Sequence, residues 1–134
     1  MPNNLTTSLE LSQKLKENGF PQSTMFYYSK PYDIHVYAVF KEIQTGSSFP
    51  PIAAPLADEI ARELPFYVEK IPKYEDEKKK HYLSCSKNED GGWTVEYTYY
   101  YYEPSDSFKE TGDTLANAMA RTWLYLKVNG LITV

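Results

Sequence analysis

One cysteine, Cys85, and two histidines, His35 and His81, are all that 134 residues offer of the two side chains most used in metal binding and nucleophilic chemistry. A lone thiol closes no intramolecular disulfide, and scarce imidazole leaves little material for a metal centre or a general base. The chain lacks a glycine-rich phosphate loop, a GxSxG elbow, an HExxH helix and a CxxC pair. No apolar run approaches the roughly 18 residues of a membrane span. Basic residues are in deficit, 14 against 18 acidic, and the net charge of -4 argues against general binding to nucleic acid or anionic lipid, both of which need cationic surface. "MPNNLTTSLELSQK" has no apolar core of a secretory signal. These absences predict a protein of a reducing cytoplasm, without cofactor, metal or membrane, that is not an enzyme.

What is present suffices for a core. With 42% hydrophobic and 24% charged residues, 1–134 reads as one globular domain. In "TTSLELSQKLKENGF", Thr7 and Glu10 have capping-box spacing, Leu11 and Leu15 share a face, and Gly19 suits a left-handed cap, predicting a helix over 7–18. "TMFYYS" and "IHVYAVF", separated by a Lys30-Pro31-Tyr32-Asp33 turn, predict two paired strands. A proline-broken loop, "QTGSSFPPIAA", follows. A second helix starts near Pro55, with Leu56, Ile60 and Leu64 as its stripe, and Pro65 ends it. "FYVEKI" reads as a third strand, "PKYEDEKKK" as a solvated charged loop, and "HYLSCSKNEDGGWTVEYTYYYYE" as a hairpin turning at 88–92. The last helix begins at an Asp113 cap, carries Leu115, Met119, Thr122 and Leu126 on one face, and stops at Asn129-Gly130.

The tyrosines of "TVEYTYYYYE" pose the functional question. Strand alternation puts Trp93, Val95, Tyr97, Tyr99 and Tyr101 on one face and Thr94, Glu96, Thr98, Tyr100 and Tyr102 on the other. The first set reads as core. The second begins polar and ends aromatic, which makes Tyr100, Tyr102 and Thr98 the candidate protein-interaction surface, because tyrosine is enriched where a surface must be both apolar and wettable. Packing against Tyr27, Tyr28, Tyr37 and Tyr82 is the competing, purely structural reading.

Two other sites are weighed. A small enzyme or ligand binder would draw on the 46–54 loop with His35 or His81. His81 and Cys85 share a strand face but lie about 13 Å apart at roughly 3.3 Å per residue, too far for a base to activate a thiol, so Cys85 reads as a small buried hydrophobe. Nucleic-acid binding would require a stripe from Lys70, Lys73, Lys78, Lys79 and Lys80, and stacking of bases on the tyrosine run is opposed by its acidic flanks Glu96, Glu103 and Asp106.

The blocks "TSLELSQKLKENGFPQ", "APLADEIARELP" and "DTLANAMARTWLYLKVNGLI" resemble small proteins of unknown function encoded by bacterial phages and prophages, in which similar blocks occur in the same order. They cover a little over a third of the chain. A weaker resemblance is to small phage proteins with an α-β-α sandwich domain. The resemblance implies a bacterial host cytoplasm and a mobile-element origin, and it carries over no functional residue. The fold expected from the residues is α+β: about five mostly antiparallel strands in one sheet, three helices mainly on one face, with a three-layer sandwich as the alternative. The function expected is a non-enzymatic module that binds another protein or itself.

Overall fold

The computed structural model describes residues 5–30, 33–36, 52–71, 76–99 and 108–132; for 29, 30 and 33–36 it describes the backbone alone. In chain order the elements are α1 (Leu9–Glu17), β1 (Phe26–Lys30), β2 (Asp33–Val36), β3 (Ile52–Ala53), α2 (Ala57–Ala61), β4 (Tyr67–Lys70), β5 (Lys79–Lys87), β6 (Trp93–Thr98), β7 (Phe108–Gly112) and α3 (Leu115–Val128). The class is α+β, and among the described residues every strand pair is antiparallel.

The expected single sheet is corrected to two. One has the order β2-β1-β3 and the other β4-β5-β6-β7. The reason lies in β1, whose two edges are already taken: β2 pairs along one and Ile52 and Ala53 along the other, with Ala54 N–H donating to Phe26 C=O at 2.9 Å. β1 is thus the centre of its sheet, whose outer strands β2 and β3 do not pair with β4. The chain then passes through Pro55, which has no N–H to continue a ladder, and turns into α2.

Helix α3 lies across β6 and β7, and α1 and α2 pack on α3. Trp123, Leu126, Ala118 and Ala120 are fully buried beneath α1, α2 and the sheet, with Leu15, Ile60, Val95 and Tyr97 completing the main core. Phe20 meets Trp123 edge to face at 5.1 Å. The alanines bring α3 close to the sheet: a Cβ on Gly112 would stand 2.5 Å from the backbone nitrogen of Ala118.

The helix caps fall one residue from two of the expected positions. Ser8, not Thr7, caps α1, its hydroxyl accepting from Leu11 N–H at 3.3 Å. Thr7 is otherwise engaged: its hydroxyl meets that of Ser12, its N–H donates to Pro55 C=O at 3.1 Å and its C=O accepts from the Tyr28 hydroxyl at 2.8 Å. Thr114, not Asp113, caps α3, accepting from Asn117 N–H at 3.2 Å, while Asp113 takes the Asn117 side-chain amide at 2.8 Å. The expected ends hold. Gly19 and Gly130 have φ of +90° and +69°, the left-handed values that follow Asn18 and Asn129 at the two C-termini.

A buried polar joint ties these parts together. Asn117, on α3, accepts the backbone N–H of Ser8 at 2.9 Å, so one side chain fixes the start of α1 against the start of α3. The hydrogen bond from Asn117 holds the Asp113 carboxyl below its usual range.

Candidate protein-binding surface

The register fixes which side chains share a face of the four-stranded sheet. Val68 opposes His81, Leu83 opposes Tyr97, Cys85 opposes Val95, and Tyr97 opposes Phe108, so these residues line the helix-covered side. Tyr67, Glu69, Lys80, Tyr82, Thr98 and Lys109 line the other. None of this second set is buried, and the described helices gather on the opposite side.

Most of that outer face is built for water: Ser84, Ser86, Lys109 and Thr111 are exposed. One corner differs. Phe66 is 74% exposed and Tyr67 38%, and both rings meet Tyr82, at 5.6 Å edge to face and 6.0 Å tilted. Lys80 Nζ lies 4.5 Å from the Tyr67 ring centre, a cation seated on an aromatic face. Thr98, the last residue of β6, is the direct cross-strand neighbour of Tyr82 and half-buried. Of the three residues read from sequence as an interaction surface, Thr98 therefore borders this corner, and Tyr100 and Tyr102 lie outside the described residues.

The aromatic corner was not singled out in sequence. Phe66 and Tyr67 follow Pro65 where β4 begins, and Tyr82 comes after the charged run. Only the β4-β5 pairing, Tyr67 against Tyr82, makes them neighbours. The signal available was the doubled aromatic after a helix-ending proline.

Of the expected core face of β6, the middle is core. Val95 and Tyr97 are fully buried, and Trp93 and Tyr99 half-buried; Tyr101 lies outside the described residues. Tyr97 stacks on Phe108 at 5.3 Å and donates its hydroxyl to Pro65 C=O at 2.7 Å. Burial raises its phenol well above the usual value.

The histidine-centred alternative finds its parts dispersed. His35 stands in β2 and His81 in β5, in different sheets. His81 is fully buried, its Nδ1 against Lys79 C=O at 2.9 Å, an arrangement that puts the proton on Nδ1 and leaves Nε2 enclosed without a partner. Of the 46–54 loop, 46–51 lie outside the described residues, and Ile52, Ala53 and Ala54 are buried, the first two as strand. A polar hollow of about 410 Å³ does form at the hairpin turn, lined by Asn88, Asp90, Thr111, Asp113 and Arg121, with no histidine in it.

Cys85 is corrected from buried to exposed. It keeps the same strand parity as Leu83 and stands opposite the buried Val95, yet Ser84 to Lys87 are all exposed. The lysines do not make one stripe either: Lys70 and Lys79 oppose each other on the inner face, Lys80 points to the outer face, and Lys73 lies outside the described residues. Lys79 is paired with Glu77 at 3.7 Å.

No family model, curated protein or solved structure matches this chain. No helix among the described residues is long and apolar enough to cross a membrane.

Proposed function

We propose that this chain is a non-enzymatic phage or prophage accessory protein of the bacterial host cytoplasm that acts by binding protein through the aromatic corner of its four-stranded sheet. The observation that carries the reading is the cluster of Phe66, Tyr67 and Tyr82 on an otherwise polar face, with Phe66 left 74% exposed. Lone exposed apolar residues are ordinary, whereas contiguous aromatic rings have the composition of interface cores. Aromatic side chains also give large contact area for little lost rotamer freedom. The phage origin rests on the three sequence blocks at 7–22, 54–65 and 113–132.

The test is capture from bacterial host lysate by the wild type and by a Phe66→Ser, Tyr82→Ser variant whose circular dichroism matches it. A protein held by the first and lost by the second supports the corner as the contact. A partner held equally by both moves binding elsewhere on the surface and defeats the reading.

A further inference from the structure

The strand that carries Tyr67 is also the end of its sheet. Leu83 N–H donates to Phe66 C=O at 3.1 Å, and with Tyr67 opposite Tyr82 this makes Phe66/Leu83, Val68/His81 and Lys70/Lys79 the hydrogen-bonded pairs. The N–H and C=O of Tyr67 and Glu69 therefore point away from β5, toward the open side of β4. Among the described residues nothing pairs with them there. Edge strands of this kind are templates for another strand, and the flanking Phe66 and Ile71, 74% and 53% exposed, do not shield this one.

We propose that β4 pairs antiparallel with β4 of a second copy about a two-fold axis through Val68. The inference deepens the proposed function, on which it rests, by naming the partner. Symmetry leaves few registers, because opposed residues must share both a sheet face and a hydrogen-bonding direction. An axis at Glu69 would set Glu69 against its own copy, like charge on like charge. An axis at Val68 sets Tyr67 of each copy against Glu69 of the other, as a hydrogen-bonded pair on the outer face. Lys80 already lies 4.5 Å from the Tyr67 ring centre, so the carboxylate of the second copy arrives beside an ammonium. Neither Glu69 nor Lys80 has an ion-pair partner among the described residues. The symmetric register makes two such charge contacts and joins two sheets into one of eight strands.

Light scattering and sedimentation over a wide concentration range test this with four chains. The wild type should pass from one-chain to two-chain mass as concentration rises. Glu69→Pro removes an outward N–H and no bond to β5, and should stay at one-chain mass with wild-type circular dichroism. Glu69→Lys should weaken the dimer by roughly tenfold, two like-charge contacts replacing two attractive ones. Glu69→Lys with Lys80→Glu should restore it, whether or not the proline variant folds. A wild type that stays monomeric, or a dimer unchanged by Glu69→Lys, overturns the pairing. Monomeric wild type together with capture of a host protein that requires Phe66 and Tyr82 would overturn the second copy as partner and leave the corner as a contact for another protein.

Discussion

Tyr97 and Tyr67 are the same residue type in the same sheet, yet they do opposite work. Tyr97 faces α3, is fully buried, and donates its hydroxyl to Pro65 C=O, so that ring and hydroxyl are both consumed by the fold. Tyr67 faces solvent at the sheet edge, 38% exposed, with Lys80 over its ring. The difference is made by what lies across each strand. On the inner face the neighbours are Leu83 and Phe108 under α3; on the outer face the cross-strand neighbour is Tyr82, at the end of a polar face that no described helix covers. A tyrosine-rich sequence is thus neither a core signal nor an interface signal until the register and the covered face are known.

The comparison is broken most directly from the inner side. Tyr97→Ala removes a fully buried ring and leaves Pro65 C=O without its donor, and should cost about 3–5 kcal/mol in denaturant unfolding. Gly112→Ala comes next. Its added carbon would stand 2.5 Å from Ala118 N and 3.0 Å from Asn117 C, backbone atoms that cannot step aside as a flexible side chain would. A loss of about 2–3 kcal/mol is expected, and an unchanged midpoint would mean that α3 does not press on β7 as described.

Asn117→Ala tests the joint rather than the core. It removes the acceptor of Ser8 N–H and the donor to Asp113, both partly enclosed, and about 1–2 kcal/mol should go with them. The Asp113 carboxyl provides an independent check. Its folded-state pKa is lowered, so its contribution is present above the unfolded value and lost as pH falls through the folded one. In Asn117→Ala the acid side of the stability curve should flatten, an effect that loss of packing alone would not produce.

How much of this was legible follows the range of the interactions. Leu11, Leu15, Ile60, Leu64, Met119 and Leu126 were read from local periodicity and all are buried. Both glycine stops and the hairpin at 88–92, where Gly91 has φ of +93°, were written in neighbouring residues. The caps moved by one residue because Thr7 and Asp113 each found a tertiary partner that local spacing does not reveal. β3 and β7 were missed for different reasons: two residues make no period, and "FKETG" has only one large apolar residue. The division into two sheets depends on which strands pair, a nonlocal fact. The aromatic corner was illegible for the same reason, since Phe66, Tyr67 and Tyr82 are brought together by pairing across the charged run.

A gentler contrast comes from alkaline pH. Burial pushes the Tyr28 phenol up to about 12, against the opposing hydrogen bond with Thr6, and raises that of Tyr97 further. In the unfolded chain both phenols lose protons near pH 10. Above that pH the unfolded state holds fewer protons than the native one, so stability is full below about pH 10 and falls as pH rises toward the folded values. Tyr28→Phe and Tyr97→Phe should each make the fall between pH 10 and 12 shallower. Urea midpoints over that range measure it, and slopes equal to the wild type would show that these hydroxyls are not held protonated.

The smallest effect on folding is expected where the effect on binding is largest. Phe66→Ser and Tyr82→Ser act on rings at the exposed corner where Phe66, Tyr67 and Tyr82 meet, so each should shift stability by no more than about 0.5–1 kcal/mol. Their contact energy is an aromatic pair at the surface, without a cavity left behind in the core. Thermal unfolding of the two single variants and the double, read beside Tyr97→Ala, isolates the comparison between faces. Comparable losses on both faces would mean that the corner is an extension of the core, reaching around the β4 edge, and the exposed aromatics would then have a structural explanation. A stable double variant would leave Phe66 and Tyr82 as residues the fold does not need, placed together on a face otherwise given over to serine, threonine and charge. That placement is what binding explains and packing does not.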